Sequence, residues 1–133
     1  MKVIQILTTY EALAFLMEQD LDIHTACIIA KNMQAISVPK RVIDEKKEKL
    51  LQELVQKYGE KDQDGLLVEQ DGQVKIIDVP AYQEEVTAFL ETELEDAVKF
   101  FKIKESALAD IKITPGQALA LLEILDEQEE GEK

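Results

Sequence analysis

The chain has 133 residues, 46% of them hydrophobic and 32% charged, enough apolar material for one packed domain and too much for disorder throughout. Twenty-eight acidic side chains oppose 15 basic ones, and a net charge of −13 argues against direct nucleic-acid binding, which draws on Lys and Arg displacing counterions. One Cys, one His and a single arginine, Arg41, exclude a disulfide framework and an all-Cys/His zinc site within one chain, and leave bidentate phosphate recognition almost without a donor.

Residues 2–7 are apolar and β-branched, which predicts a short strand. Thr8 and Glu11 then form a capping box for a helix to about Gln19, with Leu13, Leu16 and Met17 on one face. A second helix opens near Asp22, with Ile23, Ala26, Cys27, Ala30, Met33 and Ile36 at helical spacing. Pro39 is expected to end or kink it, and Ser37 offers a new N-cap. Residues 40–58 form the strongest pattern. Ile43, Leu50, Leu51, Leu54, Val55 and Tyr58 make a wide apolar stripe opposite a charged face, and Gly59 sits at the position of a C-terminal cap.

Asp71-Gly72, flanked by Leu66-Leu67-Val68 and Val74-Lys75-Ile76-Ile77, predicts a tight hairpin with a type I′ turn. That register pairs Glu69 with Val74 and Leu67 with Ile76. Asp78 caps the next helix, with Pro80 in its first turn and Tyr82, Val86, Phe89, Leu90 and Leu94 as its stripe. Residues 98–103 read as a strand with Phe101 and Ile103 on one face. Residues 108–113 read as irregular. Thr114-Pro115-Gly116-Gln117 is a second capping box, and Leu119, Leu122 and Leu125 are the expected apolar face of the final helix. The class is therefore α+β: four to five helices, one of them long, with a small, mainly antiparallel sheet that includes a β-hairpin. One domain is expected over residues 1–126, and an acidic flexible tail over 127–133. Acid at a helix C-terminus opposes the dipole and frays the last turn.

The N-terminal apolar stretch is too short for a signal peptide, and no apolar run reaches the ~18 residues of a spanning helix. A lone Cys suits the cytosol. No membrane association is expected.

Several residue groups invite chemistry. Glu60, Asp62, Asp64 and Asp71 fall at ligand positions of a calcium loop, with Gly65 at its glycine position. Val68 replaces an oxygen donor, Asp71 is too short for bidentate closure, and a hairpin follows in place of a helix. A polar loop entering the hairpin is the plainer reading. His24 and Cys27 share a helix face, but no Gly-rich nucleophile turn or oxyanion sequence accompanies them. Cys27 is expected to pack as a small hydrophobe. Lys99, Lys102, Lys104 and Lys112 interleave with Phe100 and Phe101, which on a strand reads as an edge guarded by Lys and not as a nucleic-acid platform. No phosphate-binding loop, dinucleotide fingerprint, nucleophile elbow or zinc-protease motif occurs. Neither an enzyme activity nor a cofactor or metal is expected.

The run Leu54-Val55-Gln56-Lys57-Tyr58-Gly59-Glu60-Lys61-Asp62-Gln63-Asp64-Gly65 resembles a recurrent segment in small proteins of tailed phages and prophages. In that family a long charged helix ends in a Lys-Tyr-Gly-Glu-Lys-Asp stretch, followed by a short hairpin and an acidic helix. The start of the final helix at Ile113-Thr114-Pro115 and the acidic tail are similar as well. The family carries no established activity, so the resemblance implies no functional residues. It implies a phage-encoded protein acting in the host bacterial cytoplasm or in the virion.

The expected function is protein–protein interaction or self-assembly. The long-helix stripe Ile43, Leu50, Leu51, Leu54, Val55 and Tyr58 is its surface, and a second copy or another phage or host protein its partner. The alternative is an acidic inhibitor of a host nucleic-acid-binding or defence protein, presenting Glu84, Glu85, Glu91, Glu93, Glu95 and Asp96. A metal-binding or enzymatic domain ranks third.

Overall fold

A computed structural model of the chain describes residues 1–94 and 98–126. The expected Glu95 and Asp96 sites and the acidic tail at 127–133 lie outside the described residues. In chain order come helix α1 (Val3–Met17), helix α2 (Ile23–Tyr58), strands β1 (Glu69–Gln70) and β2 (Gln73–Val74), and helix α3 (Val79–Leu90). Strand β3 (Ile103–Lys104), a 3-10 turn (Glu105–Leu108), helix α4 (Pro115–Leu121) and strand β4 (Leu125–Asp126) follow. The α+β class with one long helix and a small antiparallel hairpin holds. The chain divides into two compact units, residues 1–41 with 93–133, and residues 42–92.

In the first unit, α1 starts where a strand was expected. Val3, Ile6, Thr9, Ala12, Leu13 and Leu16 are all buried, a helical spacing that overrides the β-branched composition of residues 2–7. Lys2 is the N-cap. Its backbone N–H donates to the Gln5 side chain at 2.6 Å. Thr8 therefore caps nothing. It lies inside the helix, and its hydroxyl donates to the Ile4 carbonyl at 3.0 Å.

The Asp22 carboxylate accepts the Thr25 N–H at 3.1 Å and opens α2 as expected. Thr25, Ile29, Asn32 and Ile36 are the buried face here. Ile23, Ala26, Cys27 and Ala30, expected inside, are exposed. Sequence reading passed over the true face because two of its four members are polar. Asn32 is fully buried, yet its amide donates to the Phe101 carbonyl at 3.0 Å and accepts the Phe101 N–H at 2.7 Å. The buried amide finds both a donor and an acceptor in the backbone of one residue.

That pairing also decides the shape of residues 98–102. Phe101 takes its backbone partners from a helix side chain, so no strand forms over 98–103. Only Ile103 and Lys104 pair, in parallel with Leu125 and Asp126. Ile103 is buried and Phe101 is half exposed, so the two do not share a face. The Lys31 ammonium lies over the Phe101 ring, 5.4 Å from its centre.

The capping box at α4 forms as expected. Thr114 Oγ1 accepts the Gln117 N–H at 3.1 Å, and Gln117 Oε1 accepts the Thr114 N–H at 2.9 Å. The helix is short, and its apolar face is not the expected one. Leu121 and Ile124 are buried, while Leu119 is 71% and Leu122 51% exposed.

Helix α2 continues through Pro39 into the second unit, to which its residues 42–58 belong. Proline has no N–H to return to Ala35, so the helix gives up one hydrogen bond there. Ser37 is no N-cap: its hydroxyl donates to the Met33 carbonyl at 2.6 Å, within the helix. Ile43 and Leu54 are buried at 2% exposure each. Gly59 follows the helix without a left-handed φ, so it is not the expected cap. Close approach explains it better. A Cβ there would press on the Val55 carbonyl, on Val74 Cγ1 at 2.8 Å and on Leu67 Cδ2 at 2.9 Å.

The hairpin turn is as read: Asp71 has φ 55° and Gly72 φ 77°, the positive pair of a type I′ turn. Glu69 pairs with Val74. The base of the hairpin differs, because residues 59–61 insert between its arms. Gly59 bridges to Ile76 and Lys61 to Leu67. The Glu60 N–H donates to the Lys75 carbonyl at 2.8 Å, and its own carbonyl accepts the Val68 N–H at 2.9 Å. Asp78 then caps α3, its carboxylate accepting the Ala81 N–H at 3.2 Å.

Candidate functional site

The stripe expected on α2 is divided by the fold. Ile43 and Leu54 are buried, and Leu50 is half buried. Leu51 and Val55 line a shallow groove of about 440 Å³ with Asp44, Lys47, Glu48, Gln52 and Gln56, all from the same helix. Tyr58 turns to α3, where its hydroxyl donates to the Glu85 carboxylate. Lys57 Nζ reaches the same carboxylate at 3.3 Å.

In this three-residue cluster each ionisable group is shifted by its neighbours. The Tyr58 hydroxyl, with help from Lys57, holds the Glu85 carboxyl below the ordinary glutamate range, against a smaller opposing effect of desolvation. The same bond and desolvation raise the Tyr58 phenol. Lys57 is raised by Tyr58 first and Glu85 second. Lys57 is exposed while Tyr58 and Glu85 are half-buried, and their contact fastens the end of α2 to α3.

The remaining expected carboxylates are scattered. Glu84 and Glu91 are exposed on or just after α3. Glu93 accepts the amino terminus at 3.4 Å. Within the calcium-loop segment, one oxygen of Asp62 already accepts the Asp64 and Leu66 N–H groups, at 2.8 and 3.0 Å. Its backbone turn uses this carboxylate as an internal cap. Among the described residues, no three His, Cys, Asp or Glu side chains converge in a way that could hold a metal. Cys27 is exposed, contrary to the expectation that it packs inside, and His24 is exposed one turn earlier. Lys102 donates to the Glu123 carbonyl, while Lys99, Lys104 and Lys112 are exposed.

The fold assembles a different surface in the first unit. Helices α1 and α4 pack together, and the Thr9 hydroxyl donates to the Ala120 carbonyl at 3.2 Å across their contact. Beside that seam lies a groove of about 550 Å³, the roomiest of the cavities described. Ile4, Ala120 and the two exposed leucines, Leu119 and Leu122, supply its apolar wall. Gln5, Thr8 and Thr9 supply polar atoms, and Glu123 is its one charged side chain. Sequence reading missed this site because it placed Leu119 and Leu122 in the core. The available signal was that residues 118–125 are apolar at every position but Glu123, more than one core-facing side can use.

Among the described residues, no helix is long and apolar enough to cross a membrane. No protein-family model, curated protein or solved structure matches the chain.

Proposed function

We propose that this chain is a non-enzymatic protein–protein interaction module. The observation that carries the reading is the apolar groove between α1 and α4, with Leu119 and Leu122 facing solvent beside it. Fully burying a leucine contributes about 1.5–3 kcal/mol. Two leucines left half open or more on one short segment are therefore a large reserve for association. The resemblance of residues 54–65 to small phage and prophage proteins supports a phage-encoded origin, with action in the host bacterial cytoplasm or in the virion. The test is affinity capture from phage-infected bacteria. The wild-type chain and a Leu119→Glu/Leu122→Glu variant serve as baits, and an untagged copy of the chain is co-expressed. A protein held by the wild type and lost from the variant supports the reading. Identical capture by both baits, or capture by neither, overturns it.

A second reading has its own observation. Residues 60–91 hold nine carboxylates, Glu60, Asp62, Asp64, Glu69, Asp71, Asp78, Glu84, Glu85 and Glu91, against only Lys61 and Lys75. Such a field suits an acidic inhibitor that occupies a basic groove on a host nucleic-acid-binding or defence protein. Its affinity would fall steeply with salt, whereas association through the apolar groove would not.

A further inference from the structure

We infer that the groove between α1 and α4 is where a second copy of this chain docks, each copy setting Leu119 against the groove of the other. This rests on the interaction reading above and names its partner.

The first argument is the two-sidedness of the α4 segment. Leu121 and Ile124 are spent on the chain's own core at 1% and 0% exposure, while Leu119 and Leu122 point away from it. A segment apolar on both sides is covered on both sides. The residues outside the described ones lack the chemistry to cover the outer one. Residues 95–97 are Glu, Asp and Ala, and residues 127–133 contain no apolar side chain.

The second argument is charge. The molecule carries −13, so two copies repel over most approaches. The groove lining contains no Lys or Arg, and Glu123 is its only carboxylate. The amino terminus at its edge is already neutralised by Glu93 at 3.4 Å. A basic partner would find little here to pair with and far more in residues 60–91. A like-charged copy finds a patch where approach costs least.

The third argument is symmetry. A two-fold interface places one patch against itself, so that patch must present both a projection and a recess. Here Leu119, 71% exposed, is the projection, and the recess of about 550 Å³ adjoins it. Closure in this way stops at two chains.

Sedimentation velocity on the full chain at about 0.05 M and about 0.5 M NaCl tests this. The expected result is a species of twice the 15.1 kDa chain mass, more populated at the higher salt because screening relieves the repulsion. Leu119→Glu is expected to raise the dissociation constant by about tenfold or more. Leu51→Glu, on the α2 groove of the other unit, is expected to leave it unchanged. Circular dichroism of each variant confirms that the fold is kept, and Leu119→Ala serves as a second probe should the glutamate variant unfold. A monomer at both salt concentrations overturns the inference, as do a dimer indifferent to both Leu119 variants, assembly beyond two chains, and a dimer that weakens with salt. A monomeric wild type that still loses a captured host or phage protein on Leu119→Glu/Leu122→Glu overturns only the choice of partner and leaves the interaction reading standing.

Discussion

Asn32 supplies the fold with a contact that no apolar residue of its helix could make. Its amide fills both backbone positions of Phe101, and so takes the place of a neighbouring strand for a segment that has none. Removing it orphans a donor and an acceptor, each costing about 1–3 kcal/mol where water cannot substitute. Asn32→Ala is expected to lower unfolding free energy by about 2–4 kcal/mol in urea titration. Asn32→Asp buries a charge and sets a carboxylate oxygen against the Phe101 carbonyl, so it should cost at least as much as Asn32→Ala. At the other end of α2, Tyr58 and Glu85 make a bond whose strength depends on pH. The Glu85 carboxyl is lowered in the fold, so its stabilisation is full above the ordinary glutamate range and is lost as pH falls through its lowered value. The Tyr58 phenol is raised, so its contribution is full below the ordinary phenol range and is lost as pH rises through its raised value. The bond therefore holds across the whole window between. Glu85→Gln should return Tyr58 toward an ordinary phenol, read from the Tyr58 ring-carbon shift in an NMR titration. A Tyr58 titration unmoved by that substitution would contradict the assignment.

At the scale of elements, α2 is a 36-residue helix with a proline at Pro39. An interior proline costs about 3 kcal/mol against alanine, partly offset by the smaller entropy of the unfolded chain. Pro39→Ala is expected to raise the unfolding free energy by about 1–2 kcal/mol, read as a higher urea midpoint at constant m-value, because the new N–H can donate to the Ala35 carbonyl. A lower midpoint would mean that the ring's packing matters more than the missing bond. Other elements show what sequence reading could reach. The type I′ turn at Asp71-Gly72, the Asp78 cap and the Thr114–Gln117 box were legible because each is settled by neighbours in the chain. The strand expected over residues 2–7 failed, as did the one over 98–103. In both, a distant partner decided the conformation: the core closing on Val3 and Ile6, and Asn32 taking Phe101. Burial faces failed for a related reason. On α4 both sides are apolar, so periodicity alone could not choose between Leu119–Leu122 and Leu121–Ile124. The groove that followed from this choice had a single trace in the sequence, the surplus of apolar positions over residues 118–125.

For the molecule as a whole, charge is the dominant unspent term. Glu85 pairs with Lys57 at 3.3 Å on the surface, and the exposed Glu93 carboxylate with the amino terminus at 3.4 Å. Surface pairs of this kind contribute about 0–1 kcal/mol. They do not balance an excess of 13 negative charges, of which seven fall within residues 60–91, where nine carboxylates meet two lysines. Self-repulsion of that size destabilises the compact state, and it is screened over about 10 Å at 0.1 M salt. The melting temperature is therefore expected to climb as NaCl rises from about 0.02 M to about 0.5 M. Chloride is the right anion for the test, because sulfate would strengthen apolar burial by itself. Glu69→Gln/Glu84→Gln removes two exposed charges from the acidic stretch while leaving Tyr58 its partner. It should raise the melting temperature at low salt and flatten the salt response. Scanning fluorimetry on the wild type and this variant over the same series reads both quantities. A melting temperature that falls with salt would mean that attraction between specific pairs outweighs the net field. The acidic stretch would then be holding the fold together instead of facing outward toward a basic partner.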